Sequence, residues 1–146
     1  MNNLIKKSFI LLLLSAFFSG SVFAENMKKM GDWNVHYIAI GATFLTPEIA
    51  KTYGIERSRY NGLVNISVLD NTQKDTPAKA VSIVGQARNN VGQTKTLEFK
   101  EVKEGDAIYY LAQIKYNNEE TFHFDIDITD NGKTQKLKFT QKFYVD

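Results

Sequence analysis

The chain has 146 residues, no cysteine, and 18 Lys and Arg against 16 Asp and Glu. Residues 1–24 contain two of the lysines and no acid, so the rest of the chain is neutral. A neutral chain without a basic block lacks the electrostatic footprint of a nucleic-acid-binding protein. It also lacks the polybasic patch that draws proteins to anionic lipid. The missing cysteines exclude thiol nucleophiles, disulfides and cysteine-ligated metal sites.

The N-terminus has the three parts of a secretory signal peptide. Lys6 and Lys7 give the positive start, residues 9–18 are nearly all apolar, and Val22-Phe23-Ala24 supplies the small residues that a signal peptidase reads. The apolar run is about half of the ~20 residues that span a bilayer. We therefore predict a cleavable signal peptide over 1–24, export of the mature chain, no stable membrane insertion, and one domain over 25–146.

From Trp33 onward the apolar residues recur with a period of two, which predicts β-strands. Seven such segments are separated by turn signals every 8 to 12 residues or so, as in a sandwich. The predicted fold is all-β: an antiparallel immunoglobulin-like β-sandwich of about seven strands, with one short helix inserted after the first strand. The segments are 33–40, 63–68, 80–87, 94–102, 107–116, 121–129 and 134–145.

The last two predicted strands form a hairpin whose register can be worked out. Asn131-Gly132 suits a type I′ turn, and with these two residues as the loop both faces agree with one register. The predicted pairs are Phe124 with Phe139, Ile126 with Leu137, Asp125 with Lys138, and Asp127 with Lys136. By the same reasoning the strand over 107–116 lies beside the hairpin as a meander, with Ile114 near Phe122 and Ala112 near Phe124.

A short helix interrupts the strand pattern after the first strand. Thr46 can cap it, Pro47 suits its first position, and Gly54 can end it. Two turns do not persist alone in water. Ile49 and Tyr53, one turn apart, are therefore expected to pack against the rest of the protein.

Catalytic and metal-binding patterns are weak. None of Ser58, Ser67 and Ser82 lies in a Gly-x-Ser-x-Gly elbow, so the sequence predicts no enzyme, no catalytic residue and no cofactor. His123, Asp125 and Asp127 alternate along one strand face, but lysines on the partner strand explain the two carboxylates as ion pairs.

Met27, Met30 and His36 could bind a soft metal, yet both methionines precede the first periodic strand, in an expected frayed tail. Ordinary structural residues are favoured at both places, and no metal ligands are predicted. A small-ligand or metal-binding periplasmic protein is the alternative function.

The strongest functional signal follows the helix. Arg57 and Arg59 are two of the three arginines after residue 24, and they lie between Tyr53 and Tyr60. Arginine and tyrosine serve as interface anchors, and arginine can clamp a carboxylate or phosphate. The sequence thus predicts a non-catalytic binding or protein-interaction module, with an unknown periplasmic protein or anionic ligand as its partner.

Segments 31–37, 43–50 and 104–112, with others along the chain after residue 24, together resemble the domain of unknown function 4426 family, small exported proteins of Gram-negative proteobacteria. The resemblance implies a single-domain periplasmic protein and brings no catalytic residues. It places the His36-Tyr37 strand and the Tyr53–Tyr60 loop in the family pattern, so His36 joins the candidate binding residues. The matching segments are 31–37, 43–50, 53–55, 57–59, 65–69, 104–112 and 141–146.

Overall fold

The computed structural model describes residues 25–145; the predicted signal peptide lies outside the described residues. Within them the strands form two antiparallel sheets that pack as a β-sandwich. The five-stranded sheet has the order β1-β2-β3-β7-β6 and the four-stranded sheet the order β5-β4-β8-β9. The elements are β1 (Asn26–Met30), β2 (Trp33–Gly41), a 3-10 turn (Ala42–Phe44), α1 (Pro47–Tyr53), β3 (Asn61–Asp70), β4 (Ser82–Asn89), β5 (Thr94–Leu97), β6 (Lys100–Glu104), β7 (Ala107–Lys115), β8 (Glu120–Asp130) and β9 (Lys133–Phe143).

The main core lies between the two sheets. Side chains with a period of two enter it from each long strand, because alternate strand residues point to opposite faces. Trp33, Val35, Tyr37 and Ala39 enter from β2, whereas Phe122, Phe124, Ile126 and Ile128 enter from β8. The predicted all-β sandwich and the faces assigned to these strands are confirmed.

The β8–β9 hairpin has the predicted register. Phe124 pairs with Phe139 and Asp125 with Lys138, and the two phenyl rings stack at 4.6 Å between centroids. Asn131 and Gly132 both have positive φ, at 49° and 74°, which a type I′ turn requires.

The predicted meander is wrong. β7 belongs to the five-stranded sheet and pairs with β3 and β6, while β8 belongs to the four-stranded sheet. Ile114 and Phe122 therefore enter the same core from opposite sheets. A strand that buries one face shows the same apolar alternation whether its partner lies beside it in one sheet or opposite it in the other sheet. Periodicity alone therefore cannot tell in which sheet a strand lies. The change of sheet between these strands is the immunoglobulin arrangement.

Two further expectations are corrected. The segment 94–102 is not one strand: β5 lies in the four-stranded sheet and β6 in the five-stranded sheet, so the chain changes sheets between them. Residues before Trp33 are not a frayed tail but form β1, which pairs with β2 along its whole length. Lys28 of β1 also donates to the carbonyl of Lys138 in β9 at 2.5 Å. The described residues thus contain nine strands rather than seven.

The helix is confirmed, and it covers a second, smaller core. Thr46 Oγ1 accepts from the amide of Ile49 at 3.3 Å, and Gly54 ends α1 in the left-handed region with φ 68°. The helix and its flanking loops pack on the outer face of the five-stranded sheet, and Ile49 and Tyr53 contact this core as expected. Its buried residues are Ile38, Ile40, Ala42, Leu45, Ala50, Ile55, Leu63 and Leu111. No helix in residues 25–145 is long and apolar enough to cross a membrane.

Candidate functional site

Beside α1, three polar side chains and Met27 form a row across the outer face of the five-stranded sheet. Met27 of β1 pairs with His36 of β2, and His36 pairs with Ser67 of β3. The β3–β7 ladder ends at the Ile66–Tyr110 pair, and continuing the same register places Ser67 opposite Tyr109 of β7. Paired residues project from the same face of a sheet, so these four residues, the outer row, form one surface.

The β1–β2 end of the row brings three different donors together. Glu25 Oε1 lies 3.7 Å from His36 Nδ1, and Met27 lies directly across from His36 in the register. Cβ atoms of such pairs are about 4.5–5.5 Å apart. The Met27 side chain is 51% exposed and that of His36 is 29% exposed. We call Glu25, Met27 and His36 the edge cluster; it is accessible, and it combines a carboxylate, a thioether and an imidazole.

Tyr109 ends the row on β7, and Tyr53 of α1 and Glu104 of β6 lie near it. Burial, and after it the negative charges of Glu25 and Glu104, raise the pKa of Tyr109 to about 12. Burial and the hydrogen bond from its hydroxyl to Glu104 Oε1, 2.8 Å long, raise the pKa of Tyr53 still further. Through this hydrogen bond Tyr53 ties the helix to the end of β6.

A buried acceptor lies on the same face, two residues along β3 from Ser67. Asn65 pairs with Ile38 on one side and Leu111 on the other. Its Oδ1 is buried and accepts no hydrogen bond from the described residues. Buried side-chain oxygens usually have a partner, so this atom has capacity for a ligand or a water molecule.

The residues singled out after the helix have different surroundings. Arg57 holds the loop in place, because its Nε donates to the carbonyl of Leu45 at 2.8 Å and its Nη2 to that of Thr43 at 3.3 Å. Arg59 is exposed, and Tyr60 is 52% exposed. His36 and Tyr53 instead lie on the outer face of the sheet. The five candidate residues thus differ in their surroundings: His36 and Tyr53 lie on the outer face, Arg57 is exposed and binds backbone carbonyls, and Arg59 and Tyr60 lie at the exposed end of the loop.

On β8, Asp127 and His123 have contacts with neighbouring side chains, and Asp125 faces Lys138 in the register. Lys136 Nζ lies 3.0 Å from Asp127 Oδ1. The two ring nitrogens of His123 lie within hydrogen-bond distance of Thr140 and Asn90. Nowhere in residues 25–145 do three or more His, Asp or Glu side chains converge as metal ligands. A metal site in this part of the chain therefore depends on a different donor, such as the Met27 thioether.

Sequence reasoning missed Glu25, Tyr109 and Glu104 as parts of this surface. Glu25 and Met27 reach His36 only because β1 pairs with β2, and the five residues of β1 show no alternation that would have predicted a strand. Tyr109 and Glu104 approach through the β3–β7 and β6–β7 pairings, which join distant parts of the chain. The sequence carried no local signal for these contacts.

A family model described as "Domain of unknown function (DUF4426)" matches residues 27–146. A crystal structure of a DUF4426 family protein from Pseudomonas aeruginosa PAO1 is similar to this chain, with 30% identity and a TM-score of 0.72. The match covers 84% of this chain and 96% of that one. No curated protein matches the sequence.

More distant structures share the fold. A copper-bound glutamate-to-glutamine variant of FetP from uropathogenic Escherichia coli has 13% identity and a TM-score of 0.56 over 82% of this chain and 95% of that one. FetP as isolated, after recombinant expression in the E. coli periplasm, has 11% identity and a TM-score of 0.50 over 82% and 92%. At such identities the likeness shows a common sandwich architecture.

Proposed function

We propose that this chain, which belongs to the DUF4426 family, is an exported, non-catalytic protein that binds a transition-metal ion, copper in the first place, at the edge cluster. The observation that carries the proposal is the pairing of Met27 with His36, with the Glu25 carboxylate 3.7 Å from the imidazole. The sequence analysis favoured a structural role for Met27, Met30 and His36 because both methionines were expected in a frayed tail. The β1–β2 register removes that objection.

The donor types favour copper among the common metals. Thioether sulfur is a soft ligand that selects Cu(I), and imidazole suits copper and zinc. Copper also has the highest affinity in the divalent first-row series. Magnesium and calcium prefer sites composed of oxygen donors, and the edge cluster supplies one carboxylate. The fold shared with a copper-bound FetP variant supports the choice of copper as the first metal to test.

The surroundings support a binding site rather than a catalytic one. His36 lies beside the Glu25 carboxylate, and the Tyr109 phenol, whose pKa is raised by burial and by Glu25 and Glu104, is a weak acid on the same face of the sheet. Ser67, the hydroxyl nearest to His36 in the register, lies on a regular strand and not on a nucleophile elbow. These features fit holding an ion better than general acid–base chemistry.

The test is a competition titration of the purified protein with Cu(I) and a chromogenic chelator, repeated with Zn(II). We expect one Cu(I) per chain. Met27→Leu keeps the side-chain volume and removes the sulfur, so Cu(I) affinity should fall by about tenfold or more while Zn(II) affinity changes less. His36→Gln should lower the affinity for both Cu(I) and Zn(II).

The chain provides matched controls. Met30→Leu changes the other methionine of β1, which packs on the main core, and His123→Gln changes the other histidine, on the four-stranded sheet. Both variants should bind copper like the wild type. Absence of Cu(I) binding, or equal losses in the controls, would overturn the proposal.

A second candidate function is protein interaction through the exposed end of the loop. Tyr60 is 52% exposed, and Arg59 is exposed beside it; together they offer an aromatic and a guanidinium to a partner, the residue types that dominate interface energetics. A double Arg59→Ala, Tyr60→Ala variant should stay folded and lose a partner retained by the wild type in a periplasmic pull-down.

Arg57→Ala is the comparison for that experiment, because it removes the hydrogen bonds to Leu45 and Thr43 and loosens the loop itself. Retention of the same proteins by the double variant and the wild type would exclude this surface as the interaction site.

A further inference from the structure

The edge cluster lies at the point where the predicted signal peptide ends, and we infer that export completes the metal site. Cleavage after Ala24 makes the amino group of Glu25 the N-terminus of the mature protein. We propose that this amine is a further ligand, so that the site has its full donor set only after processing. The inference rests on the proposed function and names an additional ligand of the same site.

The position of Glu25 at the start of β1 supports the inference. Glu25 directly precedes β1, whose first residue, Asn26, pairs with Tyr37 of β2. The Glu25 side chain already reaches His36 at 3.7 Å, and its charge contributes to the raised pKa of Tyr109. The amine is attached to the Cα that carries this side chain, so cleavage at Ala24 would place it beside the edge cluster.

Donor chemistry supports it as well. Within residues 25–145 the edge cluster provides three donors, and no third His, Asp or Glu joins Glu25 and His36 there. Copper sites use nitrogen donors in preference to further oxygens, and Cu(II) takes tetragonal nitrogen and oxygen sets. An amine, an imidazole and a carboxylate make such a set, and Met27 adds the soft donor that suits Cu(I). The mature site would therefore hold both oxidation states.

A consequence is that copper binding depends on the cell compartment in which the protein is found. In the precursor the nitrogen of Glu25 is a peptide nitrogen joined to Ala24, which is a poor ligand while it carries its proton. The precursor would then bind copper more weakly than the mature protein, and loading would follow export. No conformational change of the sandwich is needed for this control.

The experiment uses the full chain with its own leader, exported in a bacterium and purified from the periplasm, and Cu(II) as the probe. Mass spectrometry identifies the first residue. A variant with Ser-Pro inserted between Ala24 and Glu25 displaces the new amine by up to about 7 Å, and the proline restricts its return. Glu25→Ala is the matched control, because it keeps the amine in place and removes only the carboxylate.

We expect wild type that begins at Glu25, and Cu(II) bound with one more nitrogen donor in electron paramagnetic resonance than in the insertion variant. Affinity should fall about tenfold or more on insertion, whereas Glu25→Ala should keep the nitrogen count. Equal nitrogen counts and affinities for wild type and insertion variant would overturn the inference and leave the proposed function standing. A first residue other than Glu25 would also overturn it. Absence of copper binding in every protein, the wild type included, would overturn both the proposed function and this inference.

Discussion

Leu45 links the helical loop to the sheet, and its replacement by alanine tests whether the second core is part of the cooperative fold. The side chain is 1% exposed and lies in the core beneath α1. Leu→Ala in a buried site costs about 2–5 kcal/mol, through lost transfer energy and the cavity left behind. The unfolding entropy of about 120 residues is roughly 0.25 kcal/mol per degree, so the melting temperature should fall by about 8–20 °C.

The assay is thermal unfolding followed by circular dichroism, with two comparisons. Leu137→Ala makes the same change in the main core, where the side chain is 0% exposed, and should give a loss in the same range. Lys51→Ala changes an exposed position of α1 and should shift the midpoint by about 2 °C or less. A Leu45→Ala variant that melts like the Lys51 variant would refute the reasoning, because the loop would then be undocked before the sandwich unfolds.

Three other changes probe single contacts. Gly85→Ala should destabilise by about 1–3 kcal/mol, because its Cβ would lie 2.8 Å from Ile126 Cγ1; an unchanged denaturation midpoint would contradict this. Tyr110→Phe should lower the free energy of unfolding by about 1–3 kcal/mol, since the Tyr110 hydroxyl accepts from the Val81 amide at 2.8 Å. An unchanged free energy of unfolding in urea would show that water takes the place of the hydroxyl. Hydrogen bonds from Thr72 hold the pKa of Asp70 below its usual range, so the charged carboxylate stabilises the folded protein. This contribution to the free energy of unfolding is fully present above about pH 4 and is lost as the pH falls through the lowered pKa. Asp70→Asn should therefore flatten the stability curve in acid, and parallel curves for the two proteins would reject this cause.

Local signals in the sequence predicted local structure well. Asn131-Gly132 fixed the hairpin register because a two-residue loop allows one alignment, and both strand faces agreed with it. Thr46 and Gly54 marked the ends of the helix because caps act within a single turn. The need for Ile49 and Tyr53 to pack also followed from the helix length alone.

Contacts between distant segments could not be predicted in the same way. The choice of sheet for β7 depends on its pairing with β3, more than 40 residues earlier, and the alternation in Ile114 and its neighbours is compatible with either sheet. β1 is a strand because β2 offers it an edge, not because of its own pattern. The edge cluster depends on that pairing, so His36 was found from the sequence and Glu25 was not.

The β3–β7 pairing also has a consequence for the rate of folding. The hairpin of β8 and β9 and the antiparallel run of β1, β2 and β3 join segments that are close in the chain, so their loops close at small entropic cost. Docking β7 against β3 closes a much longer loop that contains β4, β5 and β6, which puts the domain among topologies rich in non-local contacts and slow to fold. Until that step, one edge of β3 is unpaired, and an unpaired strand edge is a template for association with another chain. The period before β7 docks is therefore when a newly made chain is most exposed to aggregation.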